Sequence, residues 1–87
     1  MKYKVIINED VTKFVENLTN IPIKRKIANA IIALGNNPRP ASCKKLKGKL
    51  TDYYRIRTGN YRVLYTIADK ILLITVIKIA HSKDVYR

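Results

Sequence analysis

Hydrophobic and polar positions keep a helical period as far as Gly35 and a period of two from Lys44 onward. Ahead of both, Lys4 to Ile7 is a short run rich in β-branched residues, which predicts a first strand. Asn8 then stands as a helix cap, with Glu9 and Asp10 in a first turn where the dipole favours acids. Val11, Phe14, Val15 and Leu18 fall at i, i+3, i+4 and i+7, one apolar stripe on one helix. A second helix from near Pro22 repeats the pattern at Ile27, Ala30, Ile31 and Leu34. Gly35 is placed to end it, and Asn36-Asn37-Pro38-Arg39-Pro40 cannot continue a helix. The link from Thr19 to Ile21 is short, so the two helices are expected to form an antiparallel pair.

In the second half, Leu46, Leu50, Tyr54 and Ile56 occupy even positions, with Lys45, Lys47, Lys49, Arg55 and Arg57 on odd ones. Gly48 and Thr51-Asp52 suggest a bulge or bend along that stretch. Tyr53 to Thr58 and Tyr61 to Tyr65 read as a hairpin joined by Gly59-Asn60, a pair suited to a two-residue turn. This loop sets Arg57 opposite Arg62 and Ile56 opposite Val63, and opposed residues share a face. Arg55, Arg57 and Arg62 are thus expected on one side, and Tyr54, Ile56, Val63 and Tyr65 on the other. Two arginines set face to face repel, and an anion between them would offset the cost. After a turn at Asp69-Lys70, Ile71 to Ala80 is almost wholly apolar, as a strand covered on both faces would be. The expected fold is α+β in the order β-α-α-β-β-β. A two-helix hairpin packs on one face of a small, largely antiparallel four-stranded sheet, and residues 1–87 form a single domain.

Charge narrows the partners. Eighteen Lys+Arg against six Asp+Glu give a formal net charge of +12. In 87 residues this is the footprint of a nucleic-acid binder, with a ribosomal-type or membrane-adsorbed basic protein as the blander reading. The lone Cys43 excludes an internal disulfide, and no Cys/His cluster has zinc spacing, so neither metal nor cofactor is expected. No stretch reads as a signal peptide or approaches membrane-spanning length, which points to a cytoplasmic protein.

Four stretches carry a family likeness: Asn37-Pro38-Arg39-Pro40, Lys44-Lys45-Leu46-Lys47-Gly48, Tyr54 to Tyr65, and His81-Ser82-Lys83-Asp84-Val85-Tyr86-Arg87. In these, and in element order, the chain resembles the RelE/ParE superfamily of bacterial and archaeal toxins. It is more similar to the RelE branch of ribosome-dependent mRNA endonucleases than to the ParE branch, which inhibits DNA gyrase. The resemblance implies cleavage of mRNA in the ribosomal A site, leaving a 2′,3′-cyclic phosphate and a 5′-hydroxyl. It also implies a small cognate antitoxin encoded beside the toxin. Arg55 matches a basic position implicated in activating the 2′-hydroxyl, Arg57 and Arg62 match residues that stabilise the scissile phosphate, and Tyr86 matches a tyrosine that stacks on an mRNA base. Where many members have a glycine and two arginines, this chain has Ala80, Ser82 and Lys83. That departure keeps open a catalytically weakened toxin that still binds its antitoxin, and a gyrase-type inhibitor without enzymatic activity is a further alternative.

The residues bear on these roles independently. Guanidinium is permanently charged and bidentate toward phosphate, which suits stabilisation of a phosphorane. For the same reason Arg55 is a poor base, and positioning the 2′-hydroxyl is its easier task. His81 is the one side chain whose ordinary pKa suits proton transfer near neutrality; otherwise it is a strand-end imidazole bonded to backbone. Lys83, or Ser82 beside it, would be the substitute for the missing charge or leaving-group donor. Tyr53 either stacks on a base or roofs the cleft. Lys44, Lys45, Lys47 and Lys49 either bind rRNA backbone without choosing sequence or form a solvated strand edge.

Overall fold

The computed structural model describes residues 2–81. Asn8 caps helix α1 (Glu9–Glu16), its side-chain oxygen accepting from the Val11 amide at 2.9 Å. Asn20 does the same for α2 (Ile21–Leu34), accepting from Ile23 at 3.1 Å, with Pro22 in the first turn. Among the described residues five strands accompany them: β1 (Lys4–Ile7), β2 (Lys44–Leu46), β3 (Tyr53–Thr58), β4 (Tyr61–Ala68) and β5 (Leu73–His81). They form one sheet in the order β1-β5-β4-β3-β2, with β1 parallel to β5 and the other neighbours antiparallel.

The expected four strands are therefore five, because the stretch from Lys44 to Thr58 is not one strand. A Cβ on Gly48 would collide with the Thr51 carbonyl, a close approach that only glycine permits. The chain reverses there, and β2 folds back on β3 as a second hairpin. Leu50, counted by alternation with the core positions, lies fully exposed in that connection.

The core lies between the helices and one face of the sheet. Val11, Ile27, Ile31 and Leu34 of the helices meet Ile56, Val63, Tyr65, Ile74, Val76 and Ile79 of the strands. Ile56 and Val63 pair directly across the β3–β4 ladder and are 5 % and 0 % exposed. Gly59 takes the left-handed turn position at φ 59°, so the two-residue loop fixes the register read from the sequence. β5 shows the expected two-sided cover only near its end, where the neighbours Ile79 and Ala80 are both buried; Ile77 and Lys78 are exposed beside a register shift opposite Leu64 and Tyr65.

Candidate functional site

The face of β2, β3 and β4 turned away from the helices carries Lys44 and Leu46, then Tyr53, Arg55 and Arg57, then Arg62 and Leu64. This follows from the pairs Lys44↔Arg55, Leu46↔Tyr53, Arg57↔Arg62 and Arg55↔Leu64. No acid lies among them. Asp52, the single acid between Lys44 and Arg62, sits 3.4 Å from Lys45. Like charges oppose each other twice on this face, Lys44 with Arg55 and Arg57 with Arg62.

The three arginines are not equivalent. Arg57 is exposed and Arg55 half-buried, whereas Arg62 is 1 % exposed. The Arg55 Nε is buried with no hydrogen-bond acceptor among the described residues. A guanidinium in this state is a donor suited to an incoming phosphate oxygen. Arg62 shares the face by register, as the hairpin predicts, but it is withdrawn from solvent where its partner Arg57 is exposed. Alternation sets the side of a sheet; what packs over that side decides burial.

The lysines divide differently from their sequence parity. The chain reversal at Gly48 resets the alternation, so Lys44, not Lys45, stands on the arginine face. Lys45 lies opposite Tyr54 on the helix side and pairs with Asp52, while Lys47 and Lys49 are exposed in the connection between β2 and β3. Tyr53 is half-buried on the arginine face, beside Arg55 in the same strand.

His81 ends β5 directly opposite Tyr61, and its ring meets the Tyr61 ring edge-on at 5.2 Å. Tyr61 in turn packs edge-on against Phe14 of α1 at 5.8 Å. This places His81 on the helix side of the sheet, opposite the arginines, so the geometry does not bring it together with them as a proton-transfer group. Tyr86, Ser82 and Lys83 lie outside the described residues. Among the described residues no group of three or more His, Cys, Asp or Glu is placed to hold a metal ion, and no helix is long and apolar enough to cross a membrane.

One cluster escaped sequence reasoning. Arg39 donates from Nη2 to Asp69 Oδ2 at 2.8 Å and from Nη1 to Oδ1 at 3.2 Å. Tyr3 donates to the same carboxylate at 2.6 Å, and the Arg39 guanidinium lies over the Tyr54 ring at 5.3 Å. The Arg39 and Tyr3 bonds hold the Asp69 carboxyl at about 2, well below its ordinary value. The same carboxylate raises the Tyr3 hydroxyl, and burial raises that of Tyr65, which donates to the Pro38 carbonyl at 2.7 Å. These bonds pin the loop between α2 and β2 to the sheet. An arginine between two prolines was the only local signal, since its partner stands 30 residues away.

Residues 5–86 match the family model for the ParE toxin of the type II toxin–antitoxin system parDE. A curated Methanocaldococcus jannaschii protein carrying the toxin name RelE1 is 34% identical over 92 residues, spanning 100% of this chain and 98% of its own. A chain in the crystal structure of the archaeal RelE–RelB complex from Pyrococcus horikoshii superposes with a TM-score of 0.80 at 30% identity, covering 93% of this chain and 96% of that one. A chain in the Mycobacterium tuberculosis toxin–antitoxin complex RelBE2 shares the fold, with a TM-score of 0.77 at 22% identity over 93% of this chain and 99% of that one.

Proposed function

The chain belongs to the RelE/ParE superfamily of toxins from type II toxin–antitoxin systems, and we propose that it acts as a RelE-type endoribonuclease on mRNA in the ribosomal A site. The observation that carries this reading is a cationic face with no acid among its described residues, with Arg57 open to solvent and the Arg55 Nε lacking an acceptor among the described residues. Three needs attend the cutting of RNA through its own 2′-hydroxyl: a proton acceptor, charge stabilisation at phosphorus, and a donor for the departing 5′-oxygen. Arg55 and Arg57 meet the second. As the 2′-oxygen bonds to phosphorus and the 5′-oxygen leaves, their fixed positive charges face the negative charge accumulating on the non-bridging oxygens. Neither guanidinium takes the 2′-proton, because a guanidinium offers donors and no acceptor. The ribosome or a water accepts it, and the ribosome or a water also donates a proton to the departing 5′-oxygen, leaving a 2′,3′-cyclic phosphate and a 5′-hydroxyl. Arg62, being buried, contributes by fixing the face rather than by touching RNA in this arrangement.

The natural partner is a cognate antitoxin, as in the RelE–RelB complex of the Pyrococcus relative. With +12 on the toxin, an acidic or amphipathic antitoxin segment lying over the arginine face would block it, and the binding would weaken with salt. A gyrase-type inhibitor without enzymatic activity is the second reading. It is favoured by the ParE description of the matching family model and by the withdrawal of Arg62 from the surface. Reconstituted translation complexes separate the two: cleavage of A-site mRNA by the purified protein supports the first. Folded protein that leaves mRNA intact but traps gyrase–DNA complexes supports the second.

A further inference from the structure

The pair Lys44↔Arg55 puts a cation beside the arginines that the sequence pattern assigned elsewhere. Lys44 is exposed, shares its face with no acid among the described residues, and is not the lysine that Asp52 neutralises. Directly opposed residues in an antiparallel pair have Cα atoms about 5 Å apart. At that separation two parallel cationic side chains repel, and among the described residues no acid pairs with Lys44 to offset the repulsion. The lysine stem, with four rotatable carbons, can splay away from Arg55 while the planar guanidinium stays in place. A single phosphate held between Arg55 and Arg57 leaves the Lys44 ammonium beyond it, toward the β2 edge of the sheet.

We propose that Lys44 is a phosphate-positioning residue: it holds the RNA phosphate adjacent to the scissile one and so sets the path of the message across the sheet toward β2. This rests on the endonuclease reading and adds to it a substrate subsite. It also separates two lysines that are neighbours in sequence. Lys44 would contact substrate, whereas Lys45, on the other side of the strand and bridged to Asp52, would not.

The test uses the full chain on reconstituted ribosomes, with a neutral methylphosphonate replacing the phosphates on either side of the cut, one at a time. For the wild type, one of these two replacements is expected to lower single-turnover kcat/KM about tenfold, the size of one charge-assisted contact. Lys44→Gln on the unmodified message loses a similar factor, and joined to that methylphosphonate loses no more, since both remove the same contact. Lys44→Arg recovers most of the rate. Lys45→Gln keeps the wild-type interference pattern. The melting temperature of Lys44→Gln stays at or above that of the wild type, because an opposed like charge has gone. Losses that add for both methylphosphonates, or a Lys44→Gln protein indistinguishable from wild type, overturn the subsite alone. A wild type that leaves the unmodified message uncut overturns the endonuclease reading and the subsite with it.

Discussion

Arg57 and Arg62 face each other across the β3–β4 ladder, yet Arg57 is exposed and Arg62 is 1 % exposed. One register pair thus carries two different jobs. The exposed member can meet a ligand, while the buried one is part of the packing. Arg57→Ala is expected to leave stability unchanged or slightly raised, because it removes a like-charge opposition at a solvated site. Arg62→Ala should cost about 2–4 kcal/mol, the range of a large side chain deleted from a packed site. Arg62→Met, which keeps most of the volume, should cost less. Urea denaturation of the three variants reads the difference.

Ile56 and Val63 occupy the opposite side of the same hairpin, 5 % and 0 % exposed. Ile56→Ala and Val63→Ala should each lose about 1–4 kcal/mol of stability through core truncation. Cleavage per folded molecule should be largely kept. Thermal melts together with rates normalised to folded protein test both halves of that statement.

The Asp69 carboxyl, held at about 2 by the bonds from Arg39 and Tyr3, links stability to acid pH. Its folded pKa lies below the ordinary value of 3.8, so its contribution is fully present above that value and is lost as pH falls from near 4 through 2. Asp69→Asn should therefore flatten the dependence of melting temperature on pH in that window, with little added slope between pH 6 and 8. A series of melts from pH 2 to 8 on wild type and variant measures it.

Lys47 and Lys49 are exposed in the β2–β3 connection, off the arginine face. If they meet rRNA backbone, replacing each by glutamine reduces the log–log salt slope of ribosome binding by about 0.7–0.9 per lost contact. Cleavage at saturating toxin survives. Binding titrations at several salt concentrations give the slope, and an unchanged slope marks both as solvated loop charges.

Much of this arrangement was legible in the chain because local rules carried it. The stripe at Val11, Phe14 and Val15, the Asn8 cap and the Gly59-Asn60 loop each depend on residues a few positions apart. The hairpin register followed from loop length alone, and with it the facing of Arg57 and Arg62. Parity could not be carried across the reversal at Gly48, and so Lys44 and Lys45 changed sides. Burial of Arg62 and the Arg39–Asp69 pair were not legible for a related reason. Arg39 and Asp69 stand 30 residues apart, and Arg62 lies beside Ala80 of β5, so both depend on neighbours brought near by the folded sheet. His81 was singled out for its residue type, which says nothing of its facing; opposite Tyr61 it stands on the helix side of the sheet, away from the arginines.

The central claim is that the exposed cations of the arginine face stabilise charge at a scissile phosphate. Its most direct test is single-turnover cleavage of A-site mRNA by wild type and Arg57→Ala at saturating toxin, with the product ends identified. The account predicts 2′,3′-cyclic phosphate and 5′-hydroxyl ends from the wild type, and a rate for Arg57→Ala lower by about 10²-fold or more with an unchanged melting temperature. An Arg57→Ala protein that cuts at the wild-type rate, or a folded wild type that does not cut at all, would contradict it.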